Sequence, residues 1–200
     1  KEKLPTMINS ACDLSEVIQY LTPEQCTVIC KALKEKLPVF IKSVSDFRII
    51  LQYLTPKQRG VIYESVKEKL LVIINSAYDL NEVIQYLTPE QCTVVCKALK
   101  EKLSTLIKSA SDFKIILQYL TPNQRGVIYE FVKEKLPVII NSAYDFRELI
   151  QYLTPEQCTV VCKALKEKLS VIIEDPFDFK IIVRYLTFDQ FVVVCEFLKL

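Results

Sequence analysis

The amino-acid sequence predicts an all-α fold: an α-solenoid of six 33-residue helix-turn-helix repeats, wound as a right-handed superhelix. Three observations carry the prediction. Lys-Glu-Lys-Leu recurs in phase from Lys1, Lys34, Lys67, Lys100, Lys133 and Lys166, with no insertion between copies. Tyr-Leu-Thr-x-x-Gln keeps the same period, from Tyr20 to Gln25 in the first copy through Tyr185 to Gln190 in the sixth. Each copy also holds two helix-start signals, each followed by apolar residues at helical spacing. A fixed period of this length marks supersecondary units that stack, and it overrides the domain count that 200 residues would otherwise suggest. Residues 1–200 are therefore read as one repeat domain.

The first helix of each repeat, helix A, begins at a Ser-x-x-Asp box: Ser10/Asp13, Ser43/Asp46, Ser76/Asp79, Ser109/Asp112 and Ser142/Asp145. The serine satisfies an orphan N–H, and the aspartate reaches back to the cap. In the sixth copy Asp175 takes the cap and Pro176 the first helical position. Helix A is expected to end near Leu21, about three turns on. Helix B follows one residue later: Thr22 caps, Pro23 sits first, and Gln25 closes a Thr-x-x-Gln box, as at Thr55, Thr88, Thr121 and Thr154. It is expected to run through Lys-Glu-Lys-Leu and onward, because Leu33, Leu37 and Ile41 keep helical spacing. A kink or break is expected near Pro38 and Pro137, before a short connector to the next serine cap.

Both helices are apolar over a wide arc. On helix A, Leu14, Val17, Ile18 and Leu21 make one stripe, with Tyr20 and, in even repeats, Ile49 beside it. On helix B, Cys26, Ile29, Cys30, Leu33 and Leu37 make another, extended round the side by Val28 and Ala32. A lone hairpin cannot bury that surface, whereas stacked neighbours can, which is why a solenoid is expected. At roughly 8–10 Å between packed helices, six hairpins give a rod on the order of 60 Å. A second period overlies the first. Odd repeats read Thr-Pro-Glu-Gln-Cys-Thr-Val, while repeats two and four read Thr-Pro-Lys-Gln-Arg-Gly-Val and Thr-Pro-Asn-Gln-Arg-Gly-Val. The building block is thus a 66-residue pair, and the divergent sixth copy (Asp175-Pro176, Phe188, Phe191) reads as a terminal cap.

Composition narrows the function. Half the residues are apolar and a quarter charged, which supplies a core and no disorder signature. A net charge of +2 does not mark a nucleic-acid binder. No apolar run reaches the roughly 18 residues of a membrane span. The absence of histidine removes the commonest general base, and two glycines cannot make a phosphate-cradling loop. The chain opens inside the repeat phrase without an initiating Met, which reads as a fragment of a longer protein. An enzyme is not expected, nor a cofactor.

Cys26/Cys30, Cys92/Cys96 and Cys158/Cys162 put two sulfurs on one helix face. Zinc is one use of such pairs. They lie on the core stripe, however, and even repeats put Arg59/Tyr63 and Arg125/Tyr129 at the same places. Small thiols packing against larger neighbours is the reading favoured, and free thiols point to a reducing, cytoplasmic compartment. The aspartates from Asp13 to Asp178 are explained as caps. The Lys-Glu-Lys triplets are expected to solvate a rim at the end of helix B. Lys31, Glu64, Lys97, Glu130, Lys163 and Glu196 alternate in sign and are expected to pair between repeats.

The candidate binding face lies on helix A opposite its core stripe. Its first row is Ser15, Arg48, Asn81, Lys114, Arg147 and Lys180; one turn on come Gln19, Gln52, Gln85, Gln118, Gln151 and Arg184. The first row varies between repeats on a constant frame, as a recognition surface requires. The expected partner is a protein, presenting an acidic or extended segment. Nucleic-acid binding and a passive spacer role are the alternatives.

In length and helix count the repeats resemble the tetratricopeptide class, although its Trp, Leu-Gly, Tyr and Ala signature is absent. Leu21-Thr22-Pro23-Glu24-Gln25 resembles the opening of the DNA-reading repeats of transcription-activator-like effectors, without their glycine-bearing base-reading loop. Overall the chain is most similar to Leu-Thr-Pro-Glu-Gln-containing helical repeats in effectors that intracellular bacteria inject into host cells. That resemblance implies exposure to the host cytosol and binding of a host protein.

Overall fold

The computed structural model describes residues 4–199, and every regular element among them is a helix. Lys1 to Lys3, which open the first Lys-Glu-Lys-Leu, lie outside the described residues. The chain divides into two compact units, Lys1–Leu99 and Lys100–Leu200.

The first unit holds α1 (Leu4–Met7), α2 (Ala11–Ile18), α3 (Pro23–Ala32), α4 (Leu37–Phe40), α5 (Val44–Leu51), α6 (Pro56–Ile73), α7 (Ala77–Ile84) and α8 (Pro89–Ala98). The A helices α2, α5 and α7 pack side by side in that order, and so do the B helices α3, α6 and α8. The second unit holds α9 (Lys100–Leu106), α10 (Ala110–Leu117), α11 (Pro122–Val132), a 3₁₀ turn (Lys133–Lys135), α12 (Leu136–Ile139), α13 (Ala143–Ile150), α14 (Pro155–Ala164), α15 (Lys166–Ile172), α16 (Pro176–Val183) and α17 (Phe188–Leu198). There α13 packs between α10 and α16, and α14 packs on α17.

The helix starts follow the caps read from the sequence. Each of Ser10, Ser43, Ser76, Ser109 and Ser142 accepts from the backbone N–H of the aspartate three residues on. The aspartate carboxylate in turn accepts from the residue ahead of the cap, as in Asn75 N–H to Asp79 Oδ2 at 3.0 Å. Asp175 caps α16 with Pro176 at its first position. All six threonines, from Thr22 to Thr187, make reciprocal boxes with their glutamines.

The helix ends differ from expectation. Helix A stops at Ile18, not Leu21, because the chain must turn before a Thr-Pro pair that demands extended backbone at Thr22 (φ −67°, ψ 161°). The last turn tightens, with Tyr20 N–H to Val17 O and Leu21 N–H to Ile18 O at 3.2 Å. Helix B does not run through Lys-Glu-Lys-Leu except in α6, where Leu71 replaces the proline. Elsewhere the break falls ahead of the motif. Leu33 (φ −97°, ψ 5°), Leu99 (φ −91°, ψ 8°) and Leu165 (φ −90°, ψ 3°) sit in the bridge region between helices. Pro38 accounts for the first break, since its ring would clash with a carbonyl four residues back. Leu99 and Leu165 break without a proline, and nothing in their surroundings explains it.

The core is the stripe of Leu14, Ile18, Cys26, Cys30, Leu33 and Leu37, all fully buried. Each aliphatic side chain of this kind contributes about 1.5–3 kcal/mol on burial. Val28 and Ala32 do not extend it: both face solvent, on the side of α3 away from its neighbours.

Even hairpins add a polar clamp. Gln58 Oε1 accepts from Thr55 N–H at 2.8 Å, closing the box, while its Nε2 donates to Leu21 O of the preceding hairpin at 3.3 Å. Gln190 does the same, donating to Ile150 O at 2.9 Å and Leu153 O at 2.7 Å. Both glutamines are buried, whereas Gln25 is exposed. Gln58→Ala should therefore cost about 1 kcal/mol more than Gln25→Ala, because it also strands the Leu21 carbonyl in the turn after α2. Urea unfolding of the two variants checks this; equal losses would remove the clamp.

Candidate functional site

The first row of the expected binding face is largely a seam between hairpins. Asn81 is 1% exposed and Ser15 is buried, its Oγ donating to Ile49 O at 3.0 Å. Arg48 Nε lies 3.1 Å from Glu82 Oε2, and Lys114 Nζ lies 2.6 Å from Glu148 Oε1. Glu148 is buried and also accepts from Ser111 Oγ at 3.1 Å. Arg147 lies over the Tyr144 ring at 3.8 Å and the Tyr185 ring at 5.3 Å. Lys180 stands exposed. The reason is geometric: an eight-residue A helix packed on the next one presents this row to that neighbour and not to water, as α2 does to α5 and α10 to α13. Glu82 and Glu148, which the sequence reading passed over, follow the even-repeat cations Arg48 and Lys114 by 34 residues. A search for opposite charges one repeat plus one residue apart finds them.

Other charge expectations shift in the same way. Glu64 and Glu130 pair along their own helices, with Lys67 at 3.1 Å and Lys133 at 2.8 Å, because an i,i+3 partner is nearer than any neighbouring helix. The Lys-Glu-Lys rim is not simply solvated. Lys168 Nζ donates to Ile140 O at 2.8 Å and Pro137 O at 3.2 Å, capping the end of α12, and Lys135 Nζ reaches Ser104 O in α9.

The second row remains open. Gln19, Gln52, Gln118, Gln151 and Arg184 are exposed, and Gln85 is half-buried with its Nε2 on Glu82 Oε1 at 3.3 Å. Beside these residues stand tyrosines. Tyr20 is 82% exposed, Tyr53 58% and Tyr119 65%, large aromatic surfaces left uncovered at the turn from helix A to helix B. Tyr86 and Tyr152, by contrast, lie under Arg59 and Arg125, each with Cζ 5.0 Å from the ring centroid. Burial pushes the Tyr86 phenol above its ordinary pKa. Beside Arg125 a cavity of about 210 Å³ opens between Gly126, Gln151, Tyr152, Thr154 and Gln157.

The cysteines occupy the core. Sulfur–sulfur distances are 3.8 Å for Cys26/Cys30, 4.0 Å for Cys92/Cys96 and 3.9 Å for Cys158/Cys162, with all six thiols free and buried. The hydrogen bond from its partner sulfur, together with burial, pushes the second thiol of each pair far above the ordinary cysteine value. Opposite them, Tyr63 and Tyr129 are buried, and their hydroxyls have no hydrogen-bond partner among the described residues. Burial first, then neighbouring acids and Cys92, raise the Tyr63 phenol. This is the small-against-large packing the alternating sequence predicts.

Comparisons with known protein families, curated proteins and solved structures return no match. Among the described residues no helix is long and apolar enough to cross a membrane.

Two outcomes follow from this chemistry. A thiol reagent at neutral pH should label exposed Cys12 at once and the six paired cysteines only on unfolding, counted by mass spectrometry. Prompt labelling of Cys30, Cys96 or Cys162 would contradict the burial. The hydrogen bond to Glu148 raises Lys114 above the usual lysine value of 10.5. A group bound more tightly to its proton when folded contributes fully below the unfolded pKa and loses that contribution as pH rises through the folded one. The gap in melting temperature between the wild type and Lys114→Met should therefore be constant near neutrality and narrow as pH rises past the ordinary lysine value of 10.5.

Proposed function

We propose that the chain is an α-solenoid of six 33-residue repeats, wound as a right-handed superhelix, that serves as a protein-interaction scaffold. Side-by-side packing of like helices within each unit supports the solenoid. The partner is an extended protein segment lying along the turn where helix A passes into helix B. One observation carries this reading: solvent-facing tyrosines next to solvent-facing glutamines, at the same place in successive hairpins, as at Gln19-Tyr20 and Gln52-Tyr53 in one unit and Gln118-Tyr119 in the other. Tyrosine is enriched where proteins meet because it offers large rigid area with a polar tip. A glutamine amide donates and accepts, so it can bond an extended backbone in either direction.

The acidic-segment expectation is narrowed by the seam. Arg48 and Lys114 already have carboxylate partners, so attraction for acid rests on the cations outside it. The same loss of free cations weighs against nucleic acid as the ligand. The resemblance to injected bacterial effectors supports a host protein as the partner.

The test is affinity capture from a cytosolic extract with the wild type and with Tyr20→Ala/Tyr53→Ala/Tyr119→Ala. Exposed truncations of this kind shift stability little, within about 0.5 kcal/mol each. Capture should fall at least tenfold while the melting temperature is kept. Undiminished capture by the triple variant would place the partner elsewhere.

A further inference from the structure

The chain has only two glycines, and both sit inside helices: Gly60 in α6 and Gly126 in α11. Glycine is disfavoured there relative to alanine, because it loses more backbone freedom on folding. Neither position has a positive φ that would require it. Nor does packing require it. A Cβ built at Gly126 meets nothing within 4 Å, and one at Gly60 meets only Gln91 Nε2 at an ordinary 3.9 Å. The corresponding positions in odd repeats carry Thr27, Thr93 and Thr159 without harm to the helix. The fold thus gives no reason for either glycine. What each does is leave space.

At Gly126 that space is the 210 Å³ cavity, and the residue beside it is Arg125. The Arg125 guanidinium is fixed twice. Its Nε donates to Leu117 O at 3.2 Å, and its plane is held 5.0 Å from the Tyr152 centroid. Its two terminal amino groups form no hydrogen bond or ion pair among the described residues. No acidic side chain lines the cavity. Arg59 beside Gly60 repeats the arrangement, with Nε to Leu51 O at 3.2 Å and Tyr86 at 5.0 Å. A guanidinium held this way presents a planar fork, which matches a carboxylate by two parallel bonds. The cavity is smaller than the roughly 300–1,000 Å³ of small-molecule sites, so it suits one side chain.

We infer that Arg125 with Gly126 forms a pocket that takes a single Asp or Glu carboxylate of the partner segment, and that Arg59, held in the same way beside Gly60, binds a second one. The inference rests on the scaffold reading above and names what that segment must carry.

The probe is a fluorescein-labelled peptide of alternating Glu and Pro, which stays extended, against the same peptide with Gln for Glu. Binding is measured by anisotropy on the full chain. The Glu peptide should bind at least tenfold tighter than the Gln peptide. Gly60→Leu/Gly126→Leu fills both spaces without changing any charge, and it should erase that difference while melting no lower than the wild type. Independently of any variant, the Nε–Hε resonances of Arg59 and Arg125 should shift with the Glu peptide, and those of Arg48 should not. Equal affinity for the two peptides, or unchanged discrimination by a folded leucine variant, overturns the carboxylate sites. If the tyrosine variant still loses capture in either case, the scaffold reading survives the carboxylate sites. If the peptides discriminate but the tyrosine variant captures normally, the carboxylate sites survive the tyrosine edge.

Discussion

An eight-residue helix cannot finish itself. It leaves its last carbonyls without intrahelical partners, and at this length it is far below what holds together alone in water. The A helices here are all of that kind. The following turn bonds some of these carbonyls, and donors further along the chain bond others or those of the turn itself. Leu21 O takes the Gln58 amide, Ile150 O and Leu153 O take Gln190, and Leu51 O and Leu117 O take the arginine of their own hairpin. Apolar burial supplies the stabilising energy, but these polar contacts fix which hairpin face meets which.

The 66-residue period gains a physical meaning from them. Odd and even hairpins differ because their two junctions differ. Where an odd hairpin is followed by an even one, a buried glutamine clamps the carbonyls. Where an even hairpin is followed by an odd one, a cation meets a glutamate, an arginine covers a tyrosine and a buried tyrosine faces small thiols. A uniform 33-residue repeat would need one residue set to serve both junctions.

Much of the local structure was legible. Ser-x-x-Asp and Thr-x-x-Gln, with Asp175 in the sixth repeat, located the start of every A and B helix, because capping depends on residues three apart on one chain; the starts of α4, α9, α12 and α15 carry no such signal. The thiol stripe was legible for the same reason. What could not be read was anything set by contact between hairpins. Ser15 looks like a surface residue on a helical wheel, and only packing against α5 makes it interior. Val28 looks like core by spacing and faces water, because α3 has no neighbour on that side. The breaks at Leu33, Leu99 and Leu165 precede the motif that seemed to continue the helix, and no proline marks the last two. At the binding face the glutamine row was legible. The tyrosines beside it and the held arginines were not, since their exposure and orientation arise at the turn and across it.

The glutamine and lysine contacts to backbone carbonyls run in one direction. Gln58 reaches back 37 residues, Gln190 as many as 40, and Lys168 as many as 31, each to carbonyls made earlier in the chain. On a ribosome, a hairpin such as α2–α3 would leave the exit tunnel with Leu21 O open and wait for its successor to be synthesised. Maturation of the nascent chain is therefore vectorial, lagging translation by about one repeat.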